Sequence, residues 1–317
     1  MSDKDFEDIS IFQKFNPVIF REYFGVKPDT KPFEIPSDIV NSREIEEFHF
    51  ILGFAHETYG EDGKGTGNFN ASWNLDFFDK QRVKGIKDNH PNVKVYISIG
   101  GHDDGDTKYP FSPIGKVYWC YNAVESLKKI IQLYNGSDAS CCHNLIDGID
   151  INYEHINTDD VQDFSNYVGD VITGLKKEVG IDVVSIAPSH ETHKHYKALY
   201  LACTDNIKWV SYQFYLQTLP TKDEFVNLFG SLSKEYAPKK LLVGASTDPR
   251  DAGNLSHDVF LQGCTDLVKN KSLSGIFIWN ANHSTSTPAH SEGGLSFLEK
   301  IAAAFSFSMD LHFHFEI

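Results

Sequence analysis

The chain has 317 residues, 41% of them hydrophobic and 13% aromatic, which is enough to bury a sizeable core and too apolar for a disordered polymer. Its formal charge of −15 argues against nucleic acid and anionic membranes as partners, since both are held by basic patches and none of useful length occurs. No run of about eighteen apolar residues is present, which excludes an ordinary membrane-spanning helix.

In chain order, the acidic start from Met1 to Asp8 has no apolar segment of the secretory kind behind it, so a cytoplasmic location is expected. Eight short β-rich runs follow, at Val18–Val26, Phe48–Ala55, Lys94–Gly100, Leu145–Ile151, Val183–Ala187, Trp209–Phe214, Leu241–Ser246 and Gly275–Trp279. Helical stretches lie between them. Val117–Tyr134 is one. A second starts after Thr158, carries acids in its first turn and lysines in its last, and stops at Gly180. A third opens on the capping-box pair Thr221 and Glu224, with Pro238 beyond it, and a fourth is Leu295–Phe305. The glycine- and aromatic-rich stretch Glu57–Lys80 reads as a loop. Alternation of this kind predicts an α/β fold, a single (β/α)8 TIM barrel, with functional groups at the strand C-termini and the loop over that mouth.

The run Leu145-Ile146-Asp147-Gly148-Ile149-Asp150-Ile151-Asn152-Tyr153-Glu154 is the strongest chemical signal. Successive strand side chains point to opposite faces, so Asp150, Asn152 and Glu154 share one face while Ile149, Ile151 and Tyr153 share the other. Buried carboxylates are costly unless they are hydrogen-bonded or used, which makes this face a candidate site.

The run resembles the D-G-x-D-x-D-x-E signature of glycoside hydrolase family 18, the chitinases and their inactive relatives, with Asn152 in place of the last aspartate. Ser98-Ile99-Gly100-Gly101 is similar to the family's S-x-G-G motif. Stretches around Ile19–Tyr23, Phe48–Ala55, Gly63–Gly67, Val184–Ser189 and Phe277–Asn282 resemble most closely the narbonin-like legume seed proteins within it. The resemblance covers residues 16–305 as one barrel domain, leaving an N-terminal extension, 1–15, and a C-terminal tail, 306–317.

The resemblance implies substrate-assisted hydrolysis beside N-acetylglucosamine. Glu154 would be the general acid, and the sugar's own acetamido oxygen would attack the anomeric carbon. The residue at 152 would accept the acetamido N–H and stabilise the cationic intermediate, which Asn152 does without charge. Asp150 would complete the acidic row. Tyr212 would bond the acetamido oxygen, Trp279 would stack beneath the sugar, and Gln213, where the family has aspartate or asparagine, would reach into the pocket. Ser98, Gly100 and Gly101 would line it; packing alone would also account for them and for Trp279.

Other chemistries have weaker support. His190, His193 and His195 match no standard metal spacing, and His102 with Asp103, Asp104 and Asp106 reads as a solvated mouth loop or a filler of the site. The five cysteines, Cys120, Cys141, Cys142, Cys203 and Cys264, are odd in number and lack zinc spacing, in keeping with a reducing compartment. Sequons at Asn70, Asn135, Asn254 and Asn282 are then silent. No metal or cofactor is expected. Three functions remain open: a catalytically silent, narbonin-like storage or other non-enzymatic protein, a weak chito-oligosaccharide hydrolase, and a binder of N-acetylglucosamine oligomers or of a protein partner, as relatives described as RuBisCO-associated suggest. The silent barrel is the leading expectation.

Overall fold

The computed structural model describes residues 18–26, 35–102, 107–136, 144–158, 160–251 and 253–284, together with Ile301. Its elements in order are β1 (Val18–Phe24), α1 (Ser37–Val40), β2 (Ile45–Tyr59), β3 (Gly65–Ala71), α2 (Lys80–Asn89), β4 (Val93–Gly101), α3 (Lys116–Asn135), β5 (Gly148–Tyr153) and α4 (Val161–Val179). They continue as β6 (Val184–Ile186), α5 (His193–Ala202), β7 (Ile207–Tyr212), α6 (Lys222–Leu232), β8 (Leu241–Ser246), α7 (His257–Lys269), β9 (Gly275–Trp279) and α8 (Ala281–Ser284). Eight of the strands pair in parallel in the order β1-β2-β4-β5-β6-β7-β8-β9, and β9 returns to β1, so the sheet closes into a (β/α)8 barrel.

Closure buries both faces of the strands, which is why they read as near-continuous apolar runs: every residue of β1, β5 and β9 is buried. The helices obey their local signals. Asp160 caps α4 and Gly180 ends it in the left-handed conformation, while Thr221 and Glu224 form the reciprocal capping box of α6.

Two boundaries differ from expectation for visible reasons. The strand expected from Leu145 begins at Gly148, because the Leu145 and Ile146 amides are taken by Asn135 Oδ1. A Cβ on Gly148 would lie 2.6 Å from the Tyr96 ring, so this glycine lets a large interior side chain pass. The stretch Glu57–Lys80 is not a loop. β2 runs on to Tyr59, turns at Gly63, and returns as β3, antiparallel to β2 and outside the ring. Trp73 and Phe78 are buried behind it, and Asp79 caps α2. Apart from Ile301, the expected helix 295–305 lies outside the described residues, as do 1–15, 306–317 and Asp103, Asp104 and Asp106.

Glu57 anchors this hairpin. It is 3% exposed, and its carboxylate accepts from the Gly67 amide (2.8 Å), Trp119 Nε1 of α3 (2.6 Å) and Tyr153 Oη of β5 (3.1 Å). Burial pushes its carboxyl up to about 7, against the pull of those three donors. A Cβ at Gly67 would strike the Trp119 carbonyl, at 2.3 Å, so the close contact requires glycine.

Candidate active site

Strand alternation places Asp150 inside the barrel, fully buried. Its Oδ2 accepts from Tyr23 Oη and Ser98 Oγ, both at 2.8 Å, and its Oδ1 accepts from Ser185 Oγ and, at 3.4 Å, from Arg21 Nη2. Three strands, β1, β4 and β6, thus converge on one carboxylate of β5. The Arg21 guanidinium is also buried, lies 4.8 Å from the Tyr96 ring centre, and donates to His49 Nδ1. His49 must therefore carry its proton on Nε2, which donates to Glu47 at 2.8 Å. Burial, with help from Arg21, lowers the His49 pKa to about 4, so the ring is neutral and the buried charges are Arg21 and Asp150.

Asn152 lies on the same inward row, 2% exposed. Its Oδ1 accepts from Gln213 Nε2 at 3.3 Å, and the same nitrogen donates to the Ala187 carbonyl at 2.8 Å. A carbonyl only accepts, so Gln213 is held with its NH2 toward β5 and β6, and its Oε1 accepts from Tyr215 Oη at 3.1 Å. Gln213 is thus tied to the barrel wall rather than reaching freely into the pocket. Glu154 follows at the end of β5, partly exposed, and its charge acts on Tyr215 and Arg250.

Tyr212 is not in this group. Trp209 packs on interior His49, so alternation points Ser211 inward and Tyr212 outward, where its ring meets His193 and Phe214. The tyrosine that faces the carboxylates is Tyr215, delivered by the 3₁₀ turn Phe214–Leu216; burial first, then the charge of Glu154, raises its pKa. Only alternation beyond the strand end could have suggested it, and the turn breaks that alternation. Arg21 and Tyr23 gave a better signal, since polar groups at alternate positions of an apolar strand imply an interior network.

Trp279, 4% exposed, sits edge-on to Tyr23 and His102 and tilted against Phe54, closing the floor next to Asp150. Gly100 and Gly101 serve close approach: a Cβ on Gly100 would lie 2.5 Å from the Asn152 carbonyl, and one on Gly101 2.9 Å from His56 Nε2. Sequence reasoning missed the segment after β8. There Burial opposes the Asp248 charge, but Arg250, through its side chain and backbone N–H, outweighs it and holds the carboxyl at about 2. His193 pairs with Glu235 while His195 is buried against Phe164. Among the described residues no group of three His, Cys, Asp or Glu side chains is placed to hold a metal ion.

Residues 37–246 match the family model of glycosyl hydrolases family 18. The chain is 36% identical over 273 residues to Chitinase 1 of Tulipa saxatilis subsp. bakeri, covering 84% of this chain and 82% of that protein. It is 29% identical over 248 residues to the RuBisCO-associated protein of Glycine max, covering 74% and 82%. The family 18 chitinase of Crocus vernus superposes with a TM-score of 0.75 at 32% identity, covering 91% of this chain and 99% of that one. With its closed barrel, the inward row Asp150, Asn152 and Glu154, and this extent of similarity, the chain belongs to glycoside hydrolase family 18, as a chitinase-like plant protein.

Proposed function

We propose that this chain is a non-hydrolysing member of the family that serves a storage or other non-enzymatic role, as in narbonin-like proteins. Asn152 carries the proposal. In the substrate-assisted scheme the residue at this position accepts the acetamido N–H and supplies negative charge to the cationic intermediate. Asn152 has no charge, and its only acceptor atom is engaged by Gln213. Losing one such contact costs on the order of 3–4 kcal/mol of transition-state stabilisation, a hundred- to thousandfold in rate.

A weak hydrolase is the second reading, favoured by Glu154 at the strand end with its charge acting on Tyr215, by Trp279 against Tyr23, and by the 36% identity to a named chitinase. Binding of N-acetylglucosamine oligomers without cleavage, or of a protein partner, would use the same scaffold. The test is release of reducing ends from N-acetylglucosamine oligomers by wild type, Asn152→Asp and Glu154→Gln. The expected result is silence in wild type and Glu154→Gln, with slow turnover appearing in Asn152→Asp. Wild-type turnover that disappears in Glu154→Gln would make the chain a hydrolase.

A further inference from the structure

We infer that Tyr196 of α5 is a positioning residue for Glu154: its hydroxyl replaces a missing rung between β5 and β6 and fixes the peptide that joins Tyr153 to Glu154. The inference rests on the reading of Glu154 as the family's general acid.

β5 and β6 pair in parallel, Ile149 with Val184, Asp150 with Ser185 and Ile151 with Ile186. In that register the Ile149 amide donates to the Val183 carbonyl at 3.1 Å, and the Ile151 carbonyl accepts from the Ala187 amide at 2.9 Å. The next rung would join the Tyr153 amide to the Ala187 carbonyl and the Tyr153 carbonyl to the Ser189 amide. Both of those partners bond elsewhere. The Ala187 carbonyl accepts from Gln213 Nε2 at 2.8 Å, and the Ser189 amide donates to Thr192 Oγ1 at 3.0 Å. β6 accordingly ends at Ile186, although Tyr153 is fully buried and its backbone groups need partners.

Tyr196 supplies both at once. Its Oη accepts from the Tyr153 amide at 2.7 Å and donates to the Tyr153 carbonyl at 3.1 Å. The Ile151 carbonyl lies 3.3 Å from the same Oη, but a phenol has one hydrogen and Ile151 is already served by Ala187, which assigns that hydrogen to Tyr153. The Tyr196 ring is itself fully buried and edge-on to Phe164 at 5.0 Å. Beyond Glu154, the His155 carbonyl accepts from the Phe111 amide at 2.8 Å. The chain is thus held on both sides of Glu154, and an acid that must come within hydrogen-bond reach of a leaving oxygen depends on such a hold.

The test adds Tyr196→Phe to Asn152→Asp and to wild type and measures kcat and KM on tetra-N-acetylchitotetraose in whichever parent chain turns over. Tyr196→Phe is expected to lower kcat about tenfold or more and to leave KM within about threefold, because a misplaced acid slows the chemical step. Tyr200→Phe, one turn along α5, is the control. The Tyr200 hydroxyl accepts from the Ala237 amide at 3.0 Å, away from β5, so its loss should cost stability and leave kcat within about twofold. Equal losses in the two variants, an unchanged kcat, or an effect on KM alone overturns the inference. Should Tyr196→Phe fail to fold, hydrogen exchange in the native chain decides: the Tyr153 amide should be protected to within about tenfold of the Ile151 amide, and exchange at the rate of an open peptide overturns the inference. Wild-type turnover would sink the non-hydrolytic proposal and leave this one to the Tyr196→Phe ratio. Silence in both parent chains overturns this inference and leaves that proposal standing.

Discussion

Without the Arg21 guanidinium, the Asp150 carboxylate would stay in the barrel with three hydroxyl-bearing residues but no cation. Removing one member of a fully buried ion pair typically costs about 3–5 kcal/mol, because the remaining charge is uncompensated. Arg21→Met should therefore lower the free energy of unfolding by an amount in that range, read as a lower urea midpoint at an unchanged slope. A loss below about 1 kcal/mol would show that the hydroxyls alone hold the charge. At this scale the sequence was legible wherever strict alternation ran. Asp150, Asn152 and the interior part of β1 follow from a period of two, because pleating leaves a side chain no other choice. It was illegible at Tyr212 and Tyr215. β7 ends when the Gln213 amide turns to the Pro188 carbonyl, and the following turn brings Tyr215, two residues later, to the carboxylates. Such a turn has no hydrophobic period to betray it.

The hairpin of β2 and β3 makes pH an element-scale variable through Glu57. In the folded chain burial raises this carboxyl from 4.5 to about 7, so the fold holds the proton more tightly than the unfolded chain does. The associated stability is fully present below pH 4.5 and is lost as pH rises through about 7. Buried Glu22, with its carboxyl also raised to about 7 and Ser284 Oγ donating to it at 2.7 Å, has the same sign. Thermal unfolding should accordingly shift down between pH 5 and 8, with Glu57 responsible for on the order of 2 kcal/mol. Glu57→Gln keeps an oxygen for Gly67 and Trp119 and presents NH2 to Tyr153, so its stability should vary less with pH; an unaltered profile would remove Glu57 as the cause. The sequence did not disclose this element. Gly63, Gly65 and Gly67 read as loop punctuation, yet Gly67 is there because the Trp119 backbone leaves no room for a Cβ.

For the whole molecule, eight apolar runs separated by helices sufficed to foresee the closed barrel, since a parallel sheet buried on both faces has few other ways to end. The extra strand, β3, was invisible because it lies outside the ring, pairing with β2, bridging to Pro113 and taking its cover from a helix. α3 closes the outer rim of β3 with side chains: Ser126 Oγ accepts the Phe69 amide at 3.0 Å, and Asn122 Nδ2 donates to the Thr66 carbonyl at 2.8 Å. Ser112 and Ile114 take the two backbone groups of Gly65. Replacing Asn122 and Ser126 together by alanine should make light scattering rise with concentration while wild type keeps a constant size; identical behaviour would mean that these two side chains are not what guards the rim. Unpaired backbone groups on a strand are the usual invitation for one molecule to zip onto the next. With those backbone groups already taken, and a charge of −15 adding mutual repulsion, copies of this chain are expected to stay apart when crowded.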